Sequence, residues 1–241
     1  MHEARLDIHN SDVPVVCQSC EARHRGVCGA LTPPQLTHLS RHTTKSTMRP
    51  EQEIFPSSGK SHRYANILSG VVKLSKLMHD GRQQIVGLQF APDFLGRPFK
   101  ADGDIGVEAV TEVRVCSFPR NVLDDMISRS PDLEHLLHMQ ALQELDEARE
   151  WMLALGRKSA AEKVASFILM IALHYDPEAD ASTTPFELPL RRTDIADFLG
   201  LTIETVSRQI TRLRKAGIIH LENNRLVTVP DLRRLRDAGG G

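Results

Sequence analysis

Two sets of residues in this 241-residue chain have the types and spacing for chemistry. The first is the cysteines: Cys17-x2-Cys20-x7-Cys28 lie close together, and Cys116 stands alone. In a reducing compartment such thiols act as metal ligands, redox groups or core residues rather than as disulfides. Gly26 and Gly29, on either side of Cys28, let the backbone wrap closely there. The second set is Glu204, Ser207 and Arg208, whose i, i+3, i+4 spacing puts three polar groups on one face of a helix. Carboxylate, hydroxyl and guanidinium together can accept and donate hydrogen bonds to a patterned polar surface.

The elements that position the second set are legible in Arg191-Arg192-Thr193-Asp194-Ile195-Ala196-Asp197-Phe198-Leu199-Gly200-Leu201-Thr202-Ile203-Glu204-Thr205-Val206-Ser207-Arg208-Gln209-Ile210-Thr211-Arg212-Leu213. A first helix turns Ile195, Ala196 and Leu199 inward. Gly200 permits the positive φ of a tight helix-to-helix turn. Thr202 caps the second helix, and Val206, Ile210 and Leu213 form its buried face. Ile218–Leu221 and Arg225–Val229 then flank Glu222-Asn223-Asn224 as a hairpin. This is a winged helix-turn-helix, whose second helix enters the major groove of double-stranded DNA by its first turns. Arg bonds guanine bidentately, Glu accepts from the cytosine amino group, and Ser serves several base edges. From Arg191 onward there are ten Lys/Arg against six Asp/Glu, although the whole chain carries a net charge of -1. The basic balance of that segment suits a polyanion. A solvated helix face with a Glu–Arg pair is the plainer alternative.

The elements around the cysteines are of another kind. From Lys45 to Phe118 the pattern is of short strands broken by glycine: Asn66–Gly70, Val71–Leu77 and Ile85–Phe90, with a hairpin turn at His79–Arg82. So many short strands imply a sandwich or barrel. Within Val107–Phe118, Val107, Ala109, Val113 and Val115 point one way, and Glu108, Glu112, Arg114 and Cys116 the other. Cys116 is therefore expected outside the barrel, on the polar face of its strand. Leu133–Leu155 reads as one long helix with an apolar stripe. Ala160–Tyr175 reads as a second helix, and Asp176–Pro185 as a polar loop suited to a boundary. The hydrophobic fraction of 41% allows buried cores, and no apolar run reaches membrane-spanning length. Met1–Ser11 carries no signal-peptide pattern, so the expected location is the cytoplasm.

A barrel of short strands, a long helix and this winged motif together resemble the cyclic-AMP receptor protein/FNR superfamily of bacterial regulators, over about residues 30–235. The fold class expected is α+β: a cyclic-nucleotide-binding-like β-roll, a long dimerisation helix and a C-terminal winged helix-turn-helix. The expected division is a cysteine-rich segment 1–29, β-roll 30–119, dimerisation helix 120–156 and DNA-binding domain 157–241. Glu204-Thr205-Val206-Ser207-Arg208 is similar to the FNR-type recognition helix. That likeness implies that Glu204, Ser207 and Arg208 read a TTGAT half-site and its inverted copy. Arg212 and Thr202 are placed for DNA backbone contacts. The cysteine set is similar to that of FNR proteins, the FnrN-like branch especially, which implies a 4Fe–4S cluster on Cys17, Cys20, Cys28 and Cys116. Irregular spacing suits such a cluster, whose ligands need only reach four irons.

The resemblance further implies a homodimer, contact with RNA polymerase, and an oxygen-responsive regulator acting mainly as an activator at low oxygen. The dimer seam is assigned to Met139, Leu142, Leu145 and Met152. Asp146 lies in it as a charge that would meet its own copy across a two-fold axis, unless it points to solvent beside Arg149. Cyclic-nucleotide binding is not expected. Phe94-Leu95-Gly96-Arg97-Pro98-Phe99-Lys100 lacks the Gly-Glu of nucleotide binders, and no Arg-Ser/Thr follows within the barrel. Rival readings stay open. Zinc or another ligand could control the same scaffold, though four-thiolate zinc sites usually have two close cysteine pairs and this chain has one. The thiols could be non-ligands. An iron–sulfur or thiol enzyme lacks any supporting Cys–His–Asp set or Gly-rich phosphate loop.

Overall fold

The computed structural model describes residues 13–18, 20–55, 61–98, 105–177, 179 and 181–241. The readings made for Met1–Ser11, and for Phe99 and Lys100, lie outside the described residues. The chain divides into two compact units. One runs to His79 and from Gly87 to Leu145; the other comprises Asp80–Val86 and Asp146–Gly241. The loop from Asp176 to Pro185 is internal to the second unit, not a boundary. Thr183 N–H donates to Val229 O at 3.0 Å, and Leu232 N–H to Ala181 O at 2.8 Å, which tie it down.

The first unit is a roll of two four-stranded sheets. Its strands are β1 (Thr44–Met48), β2 (Glu53–Phe55), β3 (Arg63–Ser69), β4 (Val71–Leu77), the Gly87–Phe90 end of β5 (Gln83–Phe90), β6 (Phe94–Leu95), β7 (Gly106–Ala109) and β8 (Val113–Pro119). The sheet orders are β1-β8-β3-β6 and β2-β7-β4-β5. The run Val107–Phe118 is thus two strands in different sheets. Val107, Ala109, Val113 and Val115 nonetheless all face the interior, because the inner faces of both sheets meet there, with Ala65, Ile67, Val72 and Leu95. Gly70 turns β3 into β4 at φ +93, where a Cβ would collide with the Glu112 carbonyl.

A second apolar core lies on the opposite face of β3 and β8. Tyr64, Phe94 and Phe118 project into it. It is covered by Val13, Val27, Leu31, by Leu36 and Leu39 of helix α3 (Pro33–Ser40), by helix α4 (Arg120–Arg129), and by Leu133 and Leu137 of helix α5 (Pro131–Arg157). Two more short helices, α1 (Val15–Gln18) and α2 (Glu21–His24), precede α3. Tyr64 Oη donates to Asp124 Oδ1 at 2.9 Å, and Arg120 stacks over the Tyr64 ring. The face of β8 that sequence parity reads as polar is therefore a covered one.

The second unit holds α6 (Ala160–Tyr175), α7 (Arg192–Leu199), α8 (Ile203–Lys215), α9 (Leu232–Ala238) and a sheet of order β10-β11-β9. Its strands are β9 (Phe186–Glu187), β10 (His220–Glu222) and β11 (Leu226–Thr228). Ser159 and Glu162 form a capping box at the start of α6. Trp151 and Phe167 both pack edge-on to Phe198, with ring centroids 4.6 and 5.9 Å away. Strand β9 and helix α9 carry no signal strong enough to be read from two residues of strand or from a seven-residue basic run.

Phe118 is fully buried at the centre of the second core. Phe118→Ala should cost about 3–5 kcal/mol of stability, measured by urea unfolding of the first unit's signal, because neither sheet nor helices can close the cavity.

Candidate functional sites

The first site is a thiol pocket. Cys17 sits on α1, Cys20 just before α2, Cys28 on a single 3₁₀ turn (Val27–Ala30), and Cys116 on β8. All four line one pocket, with Arg23, Leu36, Leu39, Lys45, Asn66 and Phe118. Short backbone bonds build the N-terminal wall: Cys17 N–H to Pro14 O at 2.7 Å, Arg23 N–H to Cys20 O at 3.0 Å, and Leu31 N–H to Cys28 O at 3.2 Å. Gly26 is needed there, because a Cβ would stand 2.8 Å from the Pro92 carbonyl oxygen. The floor is the sheet. Lys45 pairs with Cys116, and Cys116 pairs with Asn66, so the three lie in one row across β1, β8 and β3 on the same face.

All four cysteines are free thiols and half-buried. Burial pushes the Cys28 thiol up to about 12; Cys20, Cys116 and Cys17 add to the rise, and a hydrogen bond from Asn66 opposes it. Burial also pushes Cys116 up to about 11, with Cys20 raising and Lys45 lowering it. Cys17 is raised by burial and by Cys20, against Lys45 and Arg23. The three desolvated thiols, Cys17, Cys28 and Cys116, become thiolates together only if positive charge enters the pocket with them. Lys45 supplies some from the rim, where its Nζ donates to Val16 O at 2.7 Å. Among the described residues no group of three or more His, Cys, Asp or Glu is arranged to hold one metal ion. A zinc ion, at about 2.3 Å from each sulfur, would need the ligand sulfurs within about 4 Å of one another.

Asn66 and Lys45 were not singled out from the sequence. The available signal was an Asn between Ala65 and Ile67 in an apolar strand; strand register alone places it beside Cys116. Farther along, Gly96 packs on Tyr64 and Phe94 so closely that a Cβ would strike the rings. Arg97 is exposed.

The second site is on α7 and α8. Gly200 ends α7 in the left-handed region at φ 61. Thr202 caps α8, its hydroxyl accepting from Thr205 N–H at 3.2 Å. Ile195, Ala196, Leu199, Val206, Ile210 and Leu213 are all buried, as the inward pattern requires. Glu204, Ser207, Arg208 and Arg212 are exposed. Glu204 is held below the usual carboxylate range by its own backbone N–H and by the Thr202 hydroxyl, so it is a charged acceptor. The wing turn has both Asn223 and Asn224 at positive φ. Arg192 Nη2 donates to Asn224 O at 3.0 Å and clamps the wing to α7, a role the sequence did not disclose.

The third feature is α5. Met139, Leu142, Leu145 and Met152 are exposed, as are Leu153 and Leu155. Leu153 lies eleven residues beyond Leu142, about three turns on, and so shares its face. Leu133 and Leu137 point the opposite way, into the second core. Asp146 Oδ1 accepts from Arg149 Nη1 at 3.1 Å, both on the exposed helix surface.

A two-sheet roll, a long helix and a winged helix-turn-helix with a basic exposed face define a DNA-binding transcription regulator, not an enzyme. Residues 162–238 match the Crp-like helix-turn-helix domain. A probable transcriptional activator of Rhizobium leguminosarum bv. viciae is 55% identical over 235 residues, 98% of each chain. Transcriptional activator protein FnrL of Cereibacter sphaeroides is 38% identical over 244 residues, covering 100% of this chain and 96% of FnrL. The solved structure of FixK2 from Bradyrhizobium japonicum matches with TM-score 0.73 and 28% identity, over 81% of this chain and 96% of FixK2. The chain belongs to the CRP/FNR superfamily of transcription regulators, in its FNR/FixK branch. Among the described residues no helix is long and apolar enough to cross a membrane.

Thr202→Ala removes the cap of α8 and should lower the stability of the second unit by about 1 kcal/mol, read as a drop in its thermal transition.

Proposed function

We propose that this chain is a cytoplasmic, oxygen-responsive transcription activator that binds a TTGAT-type palindrome as a homodimer and senses through a 4Fe–4S cluster. The observation that carries the sensor reading is the meeting of Cys17, Cys20 and Cys28 of the N-terminal segment with Cys116 of β8 in one pocket. The donor set fits the group: four thiols line the pocket with no competing carboxylate, and the desolvated ones need positive charge to be held ionised. Their irregular sequence spacing, with only one close cysteine pair, suits a cluster of four irons better than zinc. When bound, the cluster supplies an oxygen-labile tie between the N-terminal elements and β8.

The chain's own residues supply the rest. Cys17 and Cys28 pack against the second core, and Leu133 and Leu137 of α5 are part of that same core. Fastening the N-terminal segment therefore fixes the inner face of α5, whose outer face offers Met139, Leu142, Leu145, Met152 and Leu153 to a second copy. Asp146 and Arg149 neutralise each other within that face. A seam of apolar residues interrupted by ion pairs is marginal, so a few kcal/mol from the sensor can shift its population. Two recognition helices about 34 Å apart then meet two half-sites of double-stranded DNA. Glu204, Ser207 and Arg208 read bases, Arg212 and Thr202 contact the backbone, and RNA polymerase is the further partner.

Anaerobically purified protein should carry iron and sulfide, four of each per chain. Cys116→Ser should remove most of both; full retention would send the search for the fourth ligand elsewhere. On DNA, Arg208→Ala should cost about 1–3 kcal/mol on the specific site and relax preference at one base pair. Arg212→Ala should instead weaken all sequences alike and flatten the salt dependence. Competition binding with single-base operator variants separates the two, and equal losses across variants for Arg208→Ala would remove it from the base-reading set.

A further inference from the structure

Asn66 is a polar residue in an apolar place. It is 1% exposed, on the face of β3 that also carries Tyr64, beside Phe94 and Phe118. Its Nδ2 donates to Cys28 Sγ at 3.2 Å, and strand register sets it directly across from Cys116. Its Oδ1 is buried with no hydrogen-bond partner. A leucine has the same branched shape and strands no oxygen, so what an amide adds here is its N–H. An N–H bond to a thiol is weak; to a thiolate it is charge-assisted and much stronger. The residue sits between two of the four thiols that come from different elements, the 3₁₀ turn and β8, where one donor can hold their spacing.

We propose that Asn66 is a positioning residue of the cluster site, whose amide N–H holds the Cys28 thiolate against the sheet and tunes the cluster bound there. The inference rests on the cluster reading above. Outer-shell donors to metal ligands set both how firmly the metal is held and its potential. A donor to sulfur offsets the negative charge gained on one-electron reduction, so its loss makes the reduced form harder to reach.

The test compares the full-length parent, Asn66→Leu and Asn66→Asp, each reconstituted under nitrogen with iron and sulfide. Two quantities are read: the rate of iron release to an excess of chelator without oxygen, and the midpoint potential of the cluster. Asn66→Leu should load iron and sulfide yet release iron about 10-fold faster, the lower end of what outer-shell partners are worth. Its potential should be more negative than the parent's. Asn66→Asp, nearly isosteric but with no N–H to give, should release iron at least as fast. Parent-like release and potential in Asn66→Leu would overturn the role of Asn66 while leaving the cluster intact. If Asn66→Leu fails to fold by circular dichroism, Asn66→Asp decides, and parent-like values there overturn the proposal. A parent that takes up no iron and sulfide would overturn the cluster reading itself, and with it this one.

Discussion

The sheet β1-β8-β3-β6 has large apolar side chains on both faces, and a sheet so built needs two covers. Ala65, Ile67, Val113 and Val115 are covered by the facing sheet of the roll. Tyr64, Phe94 and Phe118 have no such partner and are covered by the N-terminal segment with α3, α4 and the start of α5. The alternation of the strand makes this unavoidable, since Phe118 and Cys116 share one parity and Val113 and Val115 the other. Covering that second face is what draws Val13, Val27, Leu31, Leu36 and Leu39 onto the roll, and so what brings three N-terminal cysteines to the one on β8.

In the function proposed above, the same cover is the link between sensing and assembly. Leu133 and Leu137 sit in the second core while Leu142 and Leu153 face outward, because a helix turns opposite sides to positions so spaced. A change that loosens the N-terminal segment thereby reaches a surface of α5 it never touches. The route proposed is a contiguous set of packed side chains, from the N-terminal segment through the second core to Leu133 and Leu137 of α5. Burial also favours the neutral form of Cys17, Cys28 and Cys116 in the pocket.

On the DNA side the constraint is rigidity. Buried Val206, Ile210 and Leu213 fix the rotation of α8, and the Thr202 cap fixes its start, so the exposed side chains point one way. The Arg192 clamp on the wing turn serves the same end from α7. Recognition needs few side chains once their directions are settled by packing.

The winged motif was almost fully legible in the sequence. Its signals are local: a glycine at positive φ, a threonine cap, and apolar positions at helical spacing within about twenty residues. The long helix and strands β3, β4 and β5 were legible for the same reason, since periodicity is a property of neighbours in the chain, whereas β1, β2 and β6 were not read and β7 and β8 were read as one run. The resemblance of the cysteine set assembled Cys17, Cys20, Cys28 and Cys116, but not what surrounds them. Lys45 and Asn66 join Cys116 only through strand register, a pairing between segments tens of residues apart that no local pattern encodes. Parity placed Cys116 outside the roll and took that outside for a polar face. Only the tertiary structure decided that it is the floor of a second core, because whether a strand's outer face meets water depends on which distant segment lies on it.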